Sequence, residues 1–322
     1  MRVLITGAAG MIGRKLVARL VEAGQINGRP INEIDLVDVV SAELPSPPSS
    51  QIKLVSTVGN LADPSTVQQL VTQPHDIVFH LAGVVSGEAE SNLDKGLEVN
   101  LDGSRVLFDA LRRADNSPRV VFTSSIAVFG QPLPDVVPDS QALTPLTSYG
   151  TQKAMGELLL ADYTRRGLLD GISIRLPTIS VRPGKPNAAA SGFFSSIIRE
   201  PLVGVETVLP VSVDLVHSHA SPRTAVNYLV RAAELDSDLI GPHPSLSMPG
   251  VAVSVGEQIE ALKAVAGSKA TDLIRSVPDP VVHAIVTTWP QRFAAERALN
   301  LGFEPDANYE AIIRTHIEDE LS

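Results

Sequence analysis

The chain has 322 residues, 44% hydrophobic and 19% charged, with a formal net charge of -10 and no cysteine. That length suits one large α/β domain or a domain with a smaller lobe, and the negative balance argues against a nucleic-acid or anionic-membrane surface. Without cysteine there are no disulfides and no thiolate chemistry. The opening MRVLITGAAG turns to glycine too soon for a signal peptide, and no apolar run reaches the roughly 20 residues of a membrane span. A cytoplasmic protein without membrane contact is expected.

Residues 2–6 (RVLIT) form a short β-branched run, the pattern of a buried parallel strand. Gly7, Gly10 and Gly13 follow, and a helix is predicted over 11–23 with Gly24 as its stop. An ordinary glycine turn would satisfy the spacing alone. A strand feeding the turn and a helix leaving it favour a dinucleotide site, because the glycines admit a pyrophosphate to the helix N-terminus. The next strand, 33–39, ends near Asp38, a carboxylate placed to accept from ribose hydroxyls and to repel a 2′-phosphate. Asp35 reads as a solvated or edge residue and Arg14 as a surface arginine, so NAD is favoured over NADP.

The proline- and serine-rich stretch 41–50 is an exposed loop. A third strand over 52–58 runs to Gly59-Asn60-Leu61, and Asp63-Pro64 opens a helix. The run 76–81 is a fourth strand ending in Ala82-Gly83, small residues against which a flat ring can lie. A long amphipathic helix over 93–114 contains Asn100, which needs partners if buried. Residues 119–123 form a fifth strand with Ser124-Ser125 at its end, and 172–176 a sixth ending at Pro177.

Between these last two strands lies SYGTQK, where Ser148 opens a helix. Tyr149 and Lys153 are then four apart on one face. A phenol and an ammonium held together form a base for an alcohol, the cation bringing the phenolate nearer neutrality. Alternating strands and helices from 2 to 176 predict a doubly wound parallel α/β sheet of Rossmann type. Residues 1–180 are assigned to this cofactor domain and 181–322 to a smaller C-terminal substrate lobe, some of whose elements return to the first domain. In that lobe helices are expected around 221–235, 255–266, 291–299 and 308–321, and Trp289 reads as packing. His217 and His219 alternate along a strand, where structural or substrate-contacting roles outweigh a metal pair; no metal is expected.

The segments ITGAAGMIG, DIVFHLAG, VVFTSSIAVFG and SYGTQK, in this order, resemble the extended short-chain dehydrogenase/reductase superfamily over most of the first 180 residues. HLAG in place of the commoner HLAA, and VFG in place of VYG, remove no group the chemistry needs. The resemblance implies Tyr149 as general base, Lys153 as its partner and a ribose contact, and Ser125 as the hydroxyl on the reacting oxygen, with Ser124 as the neighbouring alternative. It places Gly7, Gly10, Met11, Ile12 and Gly13 at the pyrophosphate and Asp38 at the ribose. Asn60 and Leu61 would border the adenine, and Leu81, Ala82 and Gly83 the nicotinamide. Pro177 to Ile179 would meet the nicotinamide amide, with Asn100 beside the active site. Helices 93–114 and 149–166 would pair across a homodimer axis.

The segments RLPTISVRPGKPNAAASGFFSSIIREPL and VHSHASPR are similar to a branch that oxidises a four-carbon 2-hydroxy sugar acid to its 2-oxo acid with NAD. A carboxylate substrate needs a cationic clamp. Arg182 and Arg223 lead the candidates, ahead of Lys185 and Arg199, with Ser191 and Gly192 for the polyol end. A nucleotide-sugar epimerase is the alternative enzyme. A dehydratase would place acidic residues where Ile126 and Ala127 follow Ser125. A catalytically silent NAD sensor would not need Ser125, Tyr149 and Lys153 intact.

Overall fold

The computed structural model describes residues 1–44, 52–114, 116–184 and 191–321. Its centre is a seven-stranded parallel sheet. The strands are β1 (Arg2–Thr6), β2 (Glu33–Asp38), β3 (Lys53–Val58), β4 (Ile77–His80), β5 (Arg119–Ser125) and β6 (Asp170–Leu176), with a seventh from the lobe, Ser245–Ser247. From one edge the order is Ser245–Ser247, β6, β5, β4, β1, β2, β3. The chain therefore reverses direction of travel between β1 and β4, and ligands of open parallel sheets bind at the carboxyl ends beside such a switch.

β1 shows why its residues are apolar without alternation. Val3 and Ile5 belong to the core on one face, with Leu16 and Leu20 of helix α1 (Met11–Ala23). Leu4 belongs to the core on the other, with Leu107 and Phe108 of helix α2 (Gly103–Arg113). Both faces are covered, so the three central positions, Val3, Leu4 and Ile5, are all apolar.

Asp35 corrects one expectation. It lies in β2, between two other strands, and is 6% exposed rather than solvated. Arg2 Nε and His75 Nε2 each lie 2.8 Å from its carboxylate. Burial opposes the charged form, yet the bonds and charges of His75 and Arg2 prevail and hold the carboxyl below its usual range. The helix predicted over 93–114 is also not continuous: a π-helical segment, Leu97–Asp102, interrupts it and carries Asn100. The expected helix at 291–299 is replaced by a shorter one, Glu296–Asn300. Positions 45–50 of the proline-serine loop lie outside the described residues.

Beyond β6 a second apolar core forms around Val181, Phe194, Ile197, Leu262, Ile312 and Ile313. Helix α3 (Ser148–Arg165) packs on the first domain, and helix α4 (Gly192–Leu202) on the lobe core. Helix α5 (Pro222–Glu234) turns back to pack on α1, and Ser245–Ser247 pairs with β6. The final helix, α6 (Tyr309–Glu320), closes the lobe. Trp289 lies against this second core.

Candidate active site

The glycine turn is shaped for a ligand that needs backbone rather than side chains. Gly7 has φ of +72°, and a Cβ there would lie 2.7 Å from the Ala82 nitrogen. A Cβ on Gly13 would lie 2.2 Å from the Gly7 oxygen, so α1 must meet the turn without a side chain. Gly10 caps α1 with no side-chain bond, which leaves the first amides of the helix available to an anion. Met11 and Ile12 are half-buried at that helix start.

The Asp38 carboxylate accepts from the Ala9 nitrogen at 2.9 Å and from the Val39 nitrogen at 2.7 Å, and so pins the turn to the end of β2. Asn60 donates to Glu98 at 2.8 Å and accepts from the Ala62 nitrogen at 3.0 Å, while Leu61 is buried beneath it. Leu81 continues β4 through its nitrogen to the Thr6 oxygen at 3.1 Å, followed by half-buried Ala82 and exposed Gly83. Pro177 and Ile179 are buried at the end of β6. A tight glycine cradle, a free helix N-terminus and a carboxylate at the end of β2 fit NAD.

Asn100 finds the partners that its burial demands. It is completely buried, and its side chain takes the Val84 nitrogen at 2.9 Å and donates to the Gln152 oxygen at 2.8 Å. Its amide fastens the loop after β4 to α3. A Cβ on Gly83 would come within 2.9 Å of that same amide oxygen and 3.5 Å of Lys153 Nζ.

Thr147 caps α3 by accepting from the Gly150 nitrogen, which starts the helix so that Tyr149 and Lys153 share a face. Ser125, at the end of β5, lies close enough to the Tyr149 hydroxyl to favour its ionisation. Ser124 points elsewhere and donates to buried Glu157. Lys153 is 3% exposed, donates to the Thr123 oxygen at 2.9 Å, and lies 5.8 Å from the centre of the Tyr149 ring. Burial lowers its pKa to about 8, against the opposing charge of Glu157.

The phenol differs from the sequence expectation. Burial raises the Tyr149 pKa, and the opposing influences are the Ser125 side chain and the charge of Arg182. A cation from the loop after β6, Arg182, thus adds to the one on the same helix, Lys153, whose Nζ lies 5.8 Å from the ring centre. Arg182 is half-buried; its Nε donates to the Ile179 oxygen at 3.0 Å and its Nη2 to Ser191 Oγ at 3.0 Å. Arg199 supports it from α4, donating to the Arg182 oxygen at 2.6 Å. The structure thus brings Ser125, Tyr149, Arg182 and Ser191 to one place.

Arg223 does not join them. Its guanidinium is held by Glu318 at 3.0 Å and by Asp319 of α6, which removes it as a substrate clamp. Lys185 lies outside the described residues. His217 and His219 are buried on one face of a lobe strand, Val216–Ala220; His217 Nε2 lies 2.7 Å from Thr178 Oγ1 and His219 Nδ1 3.1 Å from Ser180 Oγ. Burial, aided by Arg182, pushes the His217 pKa down to about 3. Among the described residues there is no group of three or more His, Asp or Glu able to hold a metal.

The sequence reading missed Glu157 and Arg175, which form a buried bidentate pair beside Lys153. Two signals were available. Glu157 continues the Tyr149, Lys153 spacing by another turn of the helix, and an arginine inside the apolar strand ISIRL demands a buried partner.

A doubly wound sheet with a glycine cradle, and a serine, tyrosine and lysine converging above it, defines a dinucleotide-dependent oxidoreductase scaffold. The chain belongs to the NAD dependent epimerase/dehydratase family, whose model matches residues 3–218. It is 47% identical to a D-erythronate dehydrogenase of Cupriavidus necator, over 99% of this chain and 98% of that protein. A D-erythronate dehydrogenase of Haemophilus influenzae is 39% identical over the whole of both chains. The crystal structure of a nucleoside-diphosphate-sugar epimerase from Agrobacterium tumefaciens superposes with a TM-score of 0.96 at 54% identity, covering 100% of this chain and 94% of that one. A GalE-like L-threonine dehydrogenase from Cupriavidus necator shares the fold, with a TM-score of 0.83 at 21% identity over 99% of both chains.

Proposed function

We propose that this protein is an NAD-dependent dehydrogenase that oxidises D-erythronate at its 2-hydroxyl to the 2-oxo acid. The observation that carries the reading is a cation, Arg182, bonded to Ser191 on the loop after β6 and acting by its charge on the Tyr149 phenol, where a substrate would present a carboxylate beside the alcohol to be oxidised. The two relatives named for D-erythronate, aligned over nearly the whole chain, support the substrate.

Residues 1–180 hold the cofactor, and the lobe from 181 onward supplies the substrate side through Arg182 and Ser191. Gly7, Gly10, Met11, Ile12 and Gly13 take the pyrophosphate and Asp38 the ribose. Asn60 and Leu61 border the adenine. Leu81, Ala82, Gly83, Pro177 and Ile179 border the nicotinamide. Bound there, NAD supplies the acceptor for hydride from the carbinol carbon. Ser125 and Tyr149 hold the alcohol oxygen, and Tyr149 receives its proton as the carbon–oxygen bond becomes a carbonyl. Lys153 keeps the phenol oriented and places positive charge where negative charge develops. Arg182, bonded to Ser191, would clamp the carboxylate and so present the neighbouring 2-hydroxyl to Ser125 and Tyr149. Leu93, Met155 and Leu158 are 53%, 45% and 64% exposed on the two helices of the first domain, and a second copy would cover them in a homodimer. A monomer by sedimentation would remove that part.

The name of the Agrobacterium structure favours a second reading, epimerisation of a nucleoside-diphosphate sugar on the same scaffold. A substrate panel separates the two. With NAD in excess, the dehydrogenase reading expects growth of the reduced-nicotinamide absorbance with D-erythronate and not with nucleoside-diphosphate sugars. Interconversion of a nucleotide sugar without net cofactor reduction would replace it.

A further inference from the structure

Lys153 is the least compensated charge at the site. An ammonium carries three donors, yet the bond it makes to protein is to the Thr123 oxygen at 2.9 Å, and its Nζ lies 4.8 Å from the centre of the Phe122 ring. It is buried, so its charge is costly unless another charge balances it. Glu157 lies one helical turn further along α3 and is 1% exposed. Arg175 of β6 grips it with Nε at 3.0 and 3.1 Å from the two carboxylate oxygens and Nη2 at 2.7 Å. Ser124 adds a hydrogen bond from the end of β5, and Phe129 covers the guanidinium with its ring centre at 5.1 Å.

We infer that Glu157, held by Arg175 and Ser124, is a positioning residue that sets the proton affinity of Lys153 and through it the working pH of Tyr149. This inference rests on the proposed roles of Tyr149 and Lys153. The pair joins three elements: the serine beside Ser125 on β5, the arginine on β6 and the helix that carries the tyrosine and lysine. A purely structural clamp could be apolar, and burying two charges instead is costly. The arrangement gives Lys153 a carboxylate whose field is partly cancelled by a guanidinium, an intermediate state that neither charge alone would provide. The other titratable groups that face the ammonium are Tyr149 on the same helix and His80 on β4. His80 stays neutral: burial, and then the Lys153 charge, push its pKa down to about 3. It therefore adds no charge to the balance at neutral pH.

The two members of the pair act with opposite sign. In Glu157→Gln the guanidinium remains without its carboxylate, so the Lys153 ammonium is disfavoured and its pKa falls. In Arg175→Gln the carboxylate remains without its guanidinium, so the ammonium is favoured and the pKa rises. The ¹³Cε resonance of Lys153, assigned by its loss in Lys153→Met, titrates directly in the full-length protein without substrate. Movement of the midpoint in opposite directions, by about one pH unit each, is expected. Movement in the same direction, or none, overturns the inference. If Glu157→Gln does not fold, the rise in Arg175→Gln carries the test alone, and its absence is equally fatal. Because no substrate is present, a failed D-erythronate assay would count against the proposed function and leave this result standing. Where turnover is measurable, the alkaline limb of kcat should move with the Lys153 midpoint, whereas a general loss of packing would lower kcat at every pH.

Discussion

Replacing Tyr149 by phenylalanine is expected to lower kcat by roughly 10²–10⁴-fold, the range that a positioned acid–base group contributes. NAD binding should survive largely intact. The glycine cradle at Gly7 and Gly13 and the Asp38 carboxylate belong to other elements, and the phenylalanine ring keeps the contacts of the tyrosine ring. What disappears is the phenolic oxygen beside Ser125. Steady-state kinetics with fluorescence titration of NAD separates the two effects. Full activity in the variant would remove the base from the proposed mechanism.

Arg182→Met should produce the second large effect. The methionine keeps much of the stem volume, but it cannot donate to the Ile179 oxygen, to Ser191 or to an incoming carboxylate. A hydrogen bond to a charged group contributes about 1.5–3 kcal/mol, so kcat/KM for the acid should fall by roughly 10–100-fold. The loss should be much smaller for the neutral amide of the same acid, which has no charge to lose. There is also a signed pH effect. Arg182 opposes the burial that raises the Tyr149 pKa, so removing its charge leaves the phenol harder to ionise. The acid limb of the kcat profile should therefore move to higher pH. An equal loss for acid and amide, with an unmoved acid limb, would reduce Arg182 to a loop support.

The parts of this site that were legible in the sequence are those set by local spacing. Strand, glycine turn and helix are contiguous, so their backbone geometry is dictated within residues 2–23. Tyr149 and Lys153 face one way because a helix repeats every 3.6 residues, and Ser125 follows directly from the end of a buried strand. What was not legible in the site's surroundings are partners distant in the chain. Arg223 finds Glu318 and Asp319, 95 and 96 residues later, and nothing near VHSHASPR indicates that. Asp35 finds His75 across 40 residues. Asn100 sits in a π-helical segment that puts it against Gln152 rather than in register with a regular helix.

The reading of the phenol illustrates the same limit. A cation four residues away is visible in the sequence, and the helical spacing alone points to it as the charge acting on Tyr149. The fold buries that cation and brings the charge of Arg182, from the loop after β6, to act on the same phenol. In the proposed mechanism the site is divided between two regions: β5 and α3 supply the proton-transfer groups, and the loop after β6 supplies the charge that would recognise an acid. This division explains how one scaffold serves both sugar nucleotides and small acids, since a change in the lobe leaves the Ser125, Tyr149, Lys153 arrangement untouched.

The most direct measurement uses D-erythronate carrying deuterium at its 2-carbon, incubated with the protein and NAD. The proposed chemistry requires that deuterium leave the acid and appear in the reduced cofactor by mass spectrometry, one atom for each 2-oxo acid formed. Label that stays in the acid while NAD is reduced, or that exchanges into water without cofactor reduction, would contradict oxidation at that carbon.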